Sequence, residues 1–218
     1  MPDADNARPP DRVVAVAPER LAGWAEGFST RHGATEVRAD PEGVTLEAAD
    51  GARARLLDPA PPLPPGDDPL AALITRAVAP RTVGALLVRR GGWAVGLFRG
   101  PALLRSKVGR SYVQGQTKAG GWSQQRYARR RAQQADQLYA AAADAVVDLL
   151  LPALPELAAL VGGGDARGVD AVLADRRLAG LRPLLAARVL PTVDPRLRVL
   201  EEFGERVRAV RIELNALA

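Results

Sequence analysis

Gly120, Gly121, Trp122, Ser123, Gln124 and Gln125 join a glycine-rich polar loop to a run of arginines. The loop covers residues 114–123 and holds Gly115, Gly120 and Gly121, with no aliphatic side chain larger than Ala119. No aliphatic side chain in it can anchor a core, so it is expected to be mobile, and glycine lets such a backbone approach a partner closely. Directly after it, Arg126, Arg129, Arg130 and Arg131 crowd the first two turns of a predicted helix. The amino end of a helix carries partial positive charge, so each cation there costs roughly a few tenths of a kcal/mol. Folding alone would place acids at those positions. Arginine forks suit phosphate oxygens. The chemistry on offer is therefore a grip on a polyanion, with a loop tip pushed ahead of it. The plainer alternative is a solvated basic face.

The element that must position these residues is the helix itself. Ala128, Ala132, Ala135, Tyr139, Ala142, Val146 and Leu149 recur at steps of three and four, which is one stripe of a helix. It is predicted over residues 123–151, with Ser123 as its N-cap, and is roughly 40 Å long at 1.5 Å per residue.

Charge is segregated around it. Residues 69–135 contain no Asp or Glu but thirteen basic side chains: Arg76, Arg81, Arg89, Arg90, Arg99, Arg105, Lys107, Arg110, Lys118, Arg126, Arg129, Arg130 and Arg131. The flanks are mixed or acidic, so the net charge of +5 understates the asymmetry. Segregation of this kind points to a polyanionic partner. A lipid surface is the other polyanion, but no basic amphipathic helix with bulky aromatics stands near a terminus. The chain has no cysteine and a single histidine, His32. Disulfides and thiolate metal sites are thereby excluded, and a histidine triad or zinc centre is disfavoured. His32, in the last turn of a predicted helix, reads as a charge partner for the helix dipole. No cofactor and no metal are expected. No apolar run has the length of a membrane span, and the first residues lack the basic start and apolar centre of a signal peptide. A cytoplasmic monomer is expected.

In chain order, residues 1–11 are polar and proline-rich and are expected to be disordered. Residues 12–58 read as a small α/β module. A strand over 12–17 leads into a helix started by Pro18, and strands over 35–39, 44–48 and 52–57 follow, parted by turns at Asp40-Pro41-Glu42-Gly43 and Asp50-Gly51. Residues 59–68 are a proline-rich linker, stiff if free, or else a segment wrapped onto the core. A second part, 69–218, opens with a helix over 69–78. An antiparallel meander over 82–89, 92–98 and 102–108 then feeds the loop. After the long helix come a short strand over 157–161, a glycine turn at Gly162-Gly163-Gly164, a short helix over 169–175, a strand or buried segment over 184–190, and a closing helix over 195–214. The glycine run lacks the spacing of a nucleotide-binding loop. The fold class is α/β, with a mixed sheet and a long basic helix.

The segment GGWSQQRYARRR resembles the tip loop and following helix of class-1 peptide release factors of eukaryotes and archaea, and more closely that of the Vms-like release factors, the VLRF family. The VLRF tip reads Gly-x-x-Gln, which here is Gly121, Trp122, Ser123 and Gln124. Aligned instead to the Gly-Gly-Gln form, Trp122 takes the place of the glutamine, and Gln125 rivals Gln124. The resemblance implies an RNase H-like release-factor catalytic domain. It implies peptidyl-tRNA hydrolysis on the large ribosomal subunit, with Gln124, Gly121 and Gly120 at the tip. Arg126, Arg129, Arg130, Arg131, Lys118, Arg110 and Trp122 would contact RNA, with Trp122 stacking on a base or packing on the core.

The reaction so implied suits these residue types. The ester between peptide and tRNA is already activated and needs a placed water and help for the oxyanion. A neutral amide can donate and accept hydrogen bonds but is no base near neutral pH. Catalysis would then come from orientation and fixed dipoles, with ribosomal and tRNA groups supplying the rest. A stop-codon-reading domain is expected to be absent, since few residues remain beside these two parts, and that expectation favours rescue of stalled complexes over ordinary termination. Two alternatives stand beside this one. A non-catalytic ribosome-binding factor accounts for the arginines but not for the glycine-glutamine loop. A two-metal nuclease needs grouped carboxylates, and Asp144 and Asp148 share a helix face roughly 30 Å from the tip.

Overall fold

The computed structural model describes the backbone of residues 9–110 and 121–218, and side chains over 9–110 and 132–218. In chain order its strands are β1 (Arg12–Val16), β2 (Thr35–Asp40), β3 (Gly43–Ala48), β4 (Arg53–Leu57), β5 (Thr82–Arg89), β6 (Gly92–Arg99), β7 (Ala102–Arg110), β8 (Leu157–Gly164) and β9 (Val210–Leu214). Its α-helices are α1 (Leu21–His32), α2 (Pro69–Val78), α3 (Gly121–Leu150), α4 (Ala166–Leu173) and α5 (Leu197–Arg208). They divide into two compact units, Met1–Ala79 with Arg208–Ala218, and Pro80–Val207.

The first unit is an antiparallel sheet in the order β1-β9-β4-β3-β2. Strand side chains alternate between the two faces. Val44, Leu46, Ala54, Leu56, Val210, Ile212 and Leu214 face a core closed by Leu21, Ala25 and Phe28 of α1 and Leu73 of α2. His32 is the last residue of α1, and its Nδ1 lies 2.8 Å from Asp50 Oδ2. The expected partner of the helix dipole thus also has a carboxylate. The Asp50 carboxyl is held below its ordinary range, first by the Ala52 N–H and then by His32.

Where the sequence leaves 59–68 as linker or wrapped segment, the structure has it wrapped: Leu63 is buried in the first core. The Asp58 carboxylate is fully buried, with Arg76 Nε donating at 2.9 Å and the Ala60 N–H at 2.8 Å. Arg76 is therefore committed to a carboxylate and leaves the set of cations open to a polyanion. The first unit runs on through α2, and Asp11 already bonds to Leu214 through its N–H. Residues 1–8 of the expected disordered terminus lie outside the described residues. The closing helix predicted over 195–214 is instead α5 followed by β9, which inserts between β1 and β4. Past Arg208 the pattern becomes a strict alternation, with Val210, Ile212 and Leu214 buried and Arg211 and Glu213 less so.

The second unit is a mixed sheet in the order β7-β6-β5-β8, antiparallel except for the β5–β8 pair. β5 is buried on both faces from Val83 to Val88, which accounts for its unbroken apolar run. One face carries α3 and α4, through Leu138, Ala142, Val146, Leu149, Leu150, Val169 and Val172. The other carries α5, through Leu200 and Phe203. Ala132–Glu156 is long and apolar enough to cross a membrane by length and composition, but its buried residues are the core of this unit.

The expected turn Gly162-Gly163-Gly164 is part of β8. A Cβ on Gly163 would stand 2.7 Å from Phe203 Cε2, and one on Gly162 would stand 3.1 Å from Val169 Cγ1. At Gly162 and Gly163 glycine admits those side chains, whereas Gly164, at φ 91°, turns the chain as expected. The expected strand or buried segment over 184–190 is reduced to two isolated parallel bridges, Leu160 with Leu185 and Gly163 with Leu190.

Candidate RNA-binding and catalytic site

β7 and α3 deliver the chain to the site and take it away. β7 is parallel to β5, since both are antiparallel to β6. Arg89, Gly92 and Arg110 form one cross-strand row at the end of the sheet where β7 stops. Strand spacing puts the first and last of these about 10 Å apart. Arg89, Arg90 and Arg110 are all exposed. Arg89 donates to the Thr192 carbonyl at 3.2 Å and lies 3.9 Å from Asp194. Trp93 lies over Gly109, where a Cβ would come within 2.4 Å of its ring, so the last residues of β7 are seated on a bulky aromatic. Arg89 and Arg90 are absent from the expected RNA-contacting set; the signal for them was the two-residue turn that brings them level with Arg110.

Residues 111–120 lie outside the described residues, and with them Lys118, Gly120 and most of the loop expected to be mobile. α3 begins at Gly121, two residues before its expected start. The whole Gly-x-x-Gln segment therefore has helical backbone. Ser123 is the third residue of α3 and not its N-cap, a correction that follows from where the helical turn closes. The side chains of Trp122, Gln124, Gln125, Arg126, Arg129, Arg130 and Arg131 lie outside the described ones. Their backbone positions fall in the first eleven residues of the helix.

What anchors α3 lies farther along it. Ala132, Gln133, Asp136 and Gln137 are exposed, Gln134 and Ala135 are half-buried, and Leu138 is the first buried side chain among those described. Among the described members of the expected stripe, Ala132 is exposed, Ala135 and Tyr139 are half-buried, and Ala142 is the first to be buried. Tyr139 packs beside Gly168 of α4, with its Cε1 3.4 Å from where a Cβ would lie. Burial raises the Tyr139 pKa, Asp165 and Asp136 raise it further, and Arg90 opposes them. Position 124 is fourteen residues from Leu138, about 21 Å by helical rise. Leu138, Val146, Leu149 and Leu150 hold the other end, at roughly 1.5–3 kcal/mol per buried side chain.

Two of the three acids of α3, those weighed for a nuclease, are paired with cations. Asp144 takes a bond from Arg177 at 2.8 Å, and Asp148 lies 3.2 Å from Lys107 Nζ. Arg177 also pairs with Asp175 and lowers its carboxyl pKa to about 2. Among the described residues no three His, Cys, Asp or Glu side chains gather in a group that could hold a metal ion. The nuclease alternative therefore has no carboxylate cluster to rest on within them.

The chain belongs to the VLRF1 release factor family: the profile of the actinobacterial and chloroflexi VLRF1 release factors matches residues 81–213, more than half of it. The match takes in the sheet of the second unit, the loop and α3. Among solved structures, the chain is similar to an archaeal translation termination factor, aRF1, at 16% identity and a TM-score of 0.44, over 88% of this chain and 56% of that one. It is also similar to a structure described as an archaeal protein, at 15% identity and a TM-score of 0.40, over 75% of this chain and 52% of that one. The chain thus spans about half the length of either. None of the curated proteins matches it. The mixed α/β architecture and the release-factor kinship expected from the sequence both stand.

Proposed function

We propose that this protein hydrolyses peptidyl-tRNA on stalled large-subunit complexes, with Gln124 as the water-positioning residue. The observation that carries the reading is the place of the Gly-x-x-Gln segment at the very start of a continuous 30-residue helix inside the family match. A helix held by its far half is a stiff arm that can carry a tip into a narrow RNA-walled site.

In the step envisaged, water attacks the ester carbonyl carbon and a tetrahedral oxyanion forms. The bond to the terminal ribose oxygen of the tRNA then breaks, and the peptide leaves as a carboxylic acid that ionises. The amide of Gln124 would hold the water without taking its proton, which passes through tRNA and ribosomal groups to the ribose oxygen. The contribution from this chain is orientation, the term in which a misplacement of about 1 Å costs roughly a hundredfold. Gly120 and Gly121 would let the backbone pass close to RNA, and Arg126, Arg129, Arg130, Arg131, Lys118 and Arg110 would neutralise phosphates. Trp122 would stack on a base.

The test is a release assay on stalled complexes carrying labelled peptidyl-tRNA. Free peptide with intact tRNA is the expected result. Binding without release would leave a ribosome-binding factor, and cut RNA would mean a nuclease.

A further inference from the structure

We propose that β7 is a second RNA-binding element, an exposed basic edge strand that lies along the phosphate backbone of an RNA duplex while α3 carries the tip forward. The inference rests on the release-factor reading and adds a surface to it.

Among the described residues β7 pairs only with β6, so its outer edge is unpaired over nine residues. Every residue of it is exposed except the half-buried Leu103 and Gly109. Leu104 is 52% exposed and Val108 37%, unusual for large apolar side chains on a strand that ends at a candidate site. The strand's charges are Arg105, Lys107 and Arg110, with exposed Arg99 just across the turn, and no acid accompanies them. Arg105 and Lys107 pair across the sheet with Leu97 and Val95, both in the core beneath α3. They therefore stand on the same face of the sheet as the arginine-bearing helix.

Edge strands are commonly guarded by charge against pairing with other chains. A guard can be of either sign, whereas here every charge on the strand is positive and the surrounding window 69–135 is free of acids. Selection of sign is what a polyanion requires. Among the described residues the one neutralising contact, Lys107 with Asp148, joins two half-exposed side chains, and such pairs are worth at most about 1 kcal/mol, so a phosphate can displace it. Edge N–H groups add neutral donors of the kind that meet phosphate oxygens. A like-charged second copy of the same edge would be repelled, which argues against self-pairing.

The experiment compares the full-length wild type with Arg105→Gln/Lys107→Gln, and with Arg196→Gln/Arg198→Gln as a control that removes two exposed cations elsewhere in the same unit. Binding to large ribosomal subunits and to a labelled 20-base-pair RNA duplex is measured across a KCl series, with circular dichroism to verify folding. Two lost phosphate contacts should weaken binding roughly tenfold or more near 100 mM salt and lower the slope of log affinity against log salt by about 1.5–2. The control should move the slope by less than half as much. Wild-type affinity and slope in the folded β7 variant would overturn the inference, as would an equal effect in the control. Wild type that binds both RNAs but releases no peptide would remove the hydrolase reading and leave this surface standing. Wild type that binds neither would remove both.

Discussion

Deleting one residue from the exposed stretch of α3 tests whether the helix works as a rigid arm. Gln133 is suited to this: it is exposed and lies between Gln124 and the first core residue, Leu138. Its removal turns everything upstream by about 100° and draws it in by about 1.5 Å. An atom roughly 6 Å from the helix axis, near the outer radius of an α-helix, then moves by about 9 Å. Among the described residues no buried side chain is lost, so the melting temperature should stay within a few degrees of wild type. Release from stalled complexes should fall by at least about a hundredfold, given the cost of misplacing a reacting group by even 1 Å. Gln133→Ala keeps the register and should release normally. Single-turnover release at saturating protein separates this loss from weaker binding. A deletion variant that still releases within a fewfold of wild type would refute the rigid-arm account.

Four further outcomes are expected. Gly163→Ala drives a methyl into Phe203 and should destabilise the second unit by roughly 1–3 kcal/mol, read by denaturant unfolding; a neutral result would return the glycine run to the status of a tolerant turn. Arg76→Met leaves the fully buried Asp58 carboxylate without its cation and should cost about 3–5 kcal/mol while leaving ribosome affinity unchanged. Asp175, whose carboxyl pKa falls from 3.8 to about 2 beside Arg177, binds its proton more weakly folded than unfolded. Its contribution is therefore complete above about pH 4 and lost as pH falls towards 2, so Asp175→Asn should flatten the acid limb of the stability curve in that window. Changing Arg129 and Arg130 to Glu should weaken ribosome binding and reduce its salt dependence; an unchanged slope would return them to a solvated basic face.

The contrast between what the sequence disclosed and what it hid has a physical basis. β2, β3, β4, β5, β6 and β7 were legible within a residue or two because turn chemistry marks their ends, aided by alternation in β3 and β4 and by unbroken apolar runs in β5 and β6. β9 was not, because its pairing partners β1 and β4 lie more than 150 residues away and nothing local marks the change from helix to strand except three alternating residues. The glycines of β8 misled for a related reason. Their spacing reads as a turn, which Gly164 alone makes, and only Phe203, Val169 and Val189, brought in from later elements, show why no Cβ fits at Gly162 and Gly163. Asp58 and Arg76 met the same obstacle: an arginine in an acid-free window looks available until the fold brings a buried carboxylate to it. At the site, the helix was readable from periodicity but its start was not, since α3 begins two residues before Ser123. The strand beside it was readable only as a strand, because exposure on both faces of β7 depends on where α3 and α5 stop.

The most direct measurement is single-turnover peptide release by Gln124→Ala beside Gln125→Ala, with ribosome binding measured in parallel. The two positions are 100° apart around a helix, so they cannot serve one water equally. Gln124→Ala should bind as wild type does and release roughly ten- to a thousandfold more slowly, the range for loss of a positioning or oxyanion-type group, while Gln125→Ala loses far less. Full release by both variants would contradict the glutamine mechanism, and loss confined to Gln125→Ala would shift the active register by one residue.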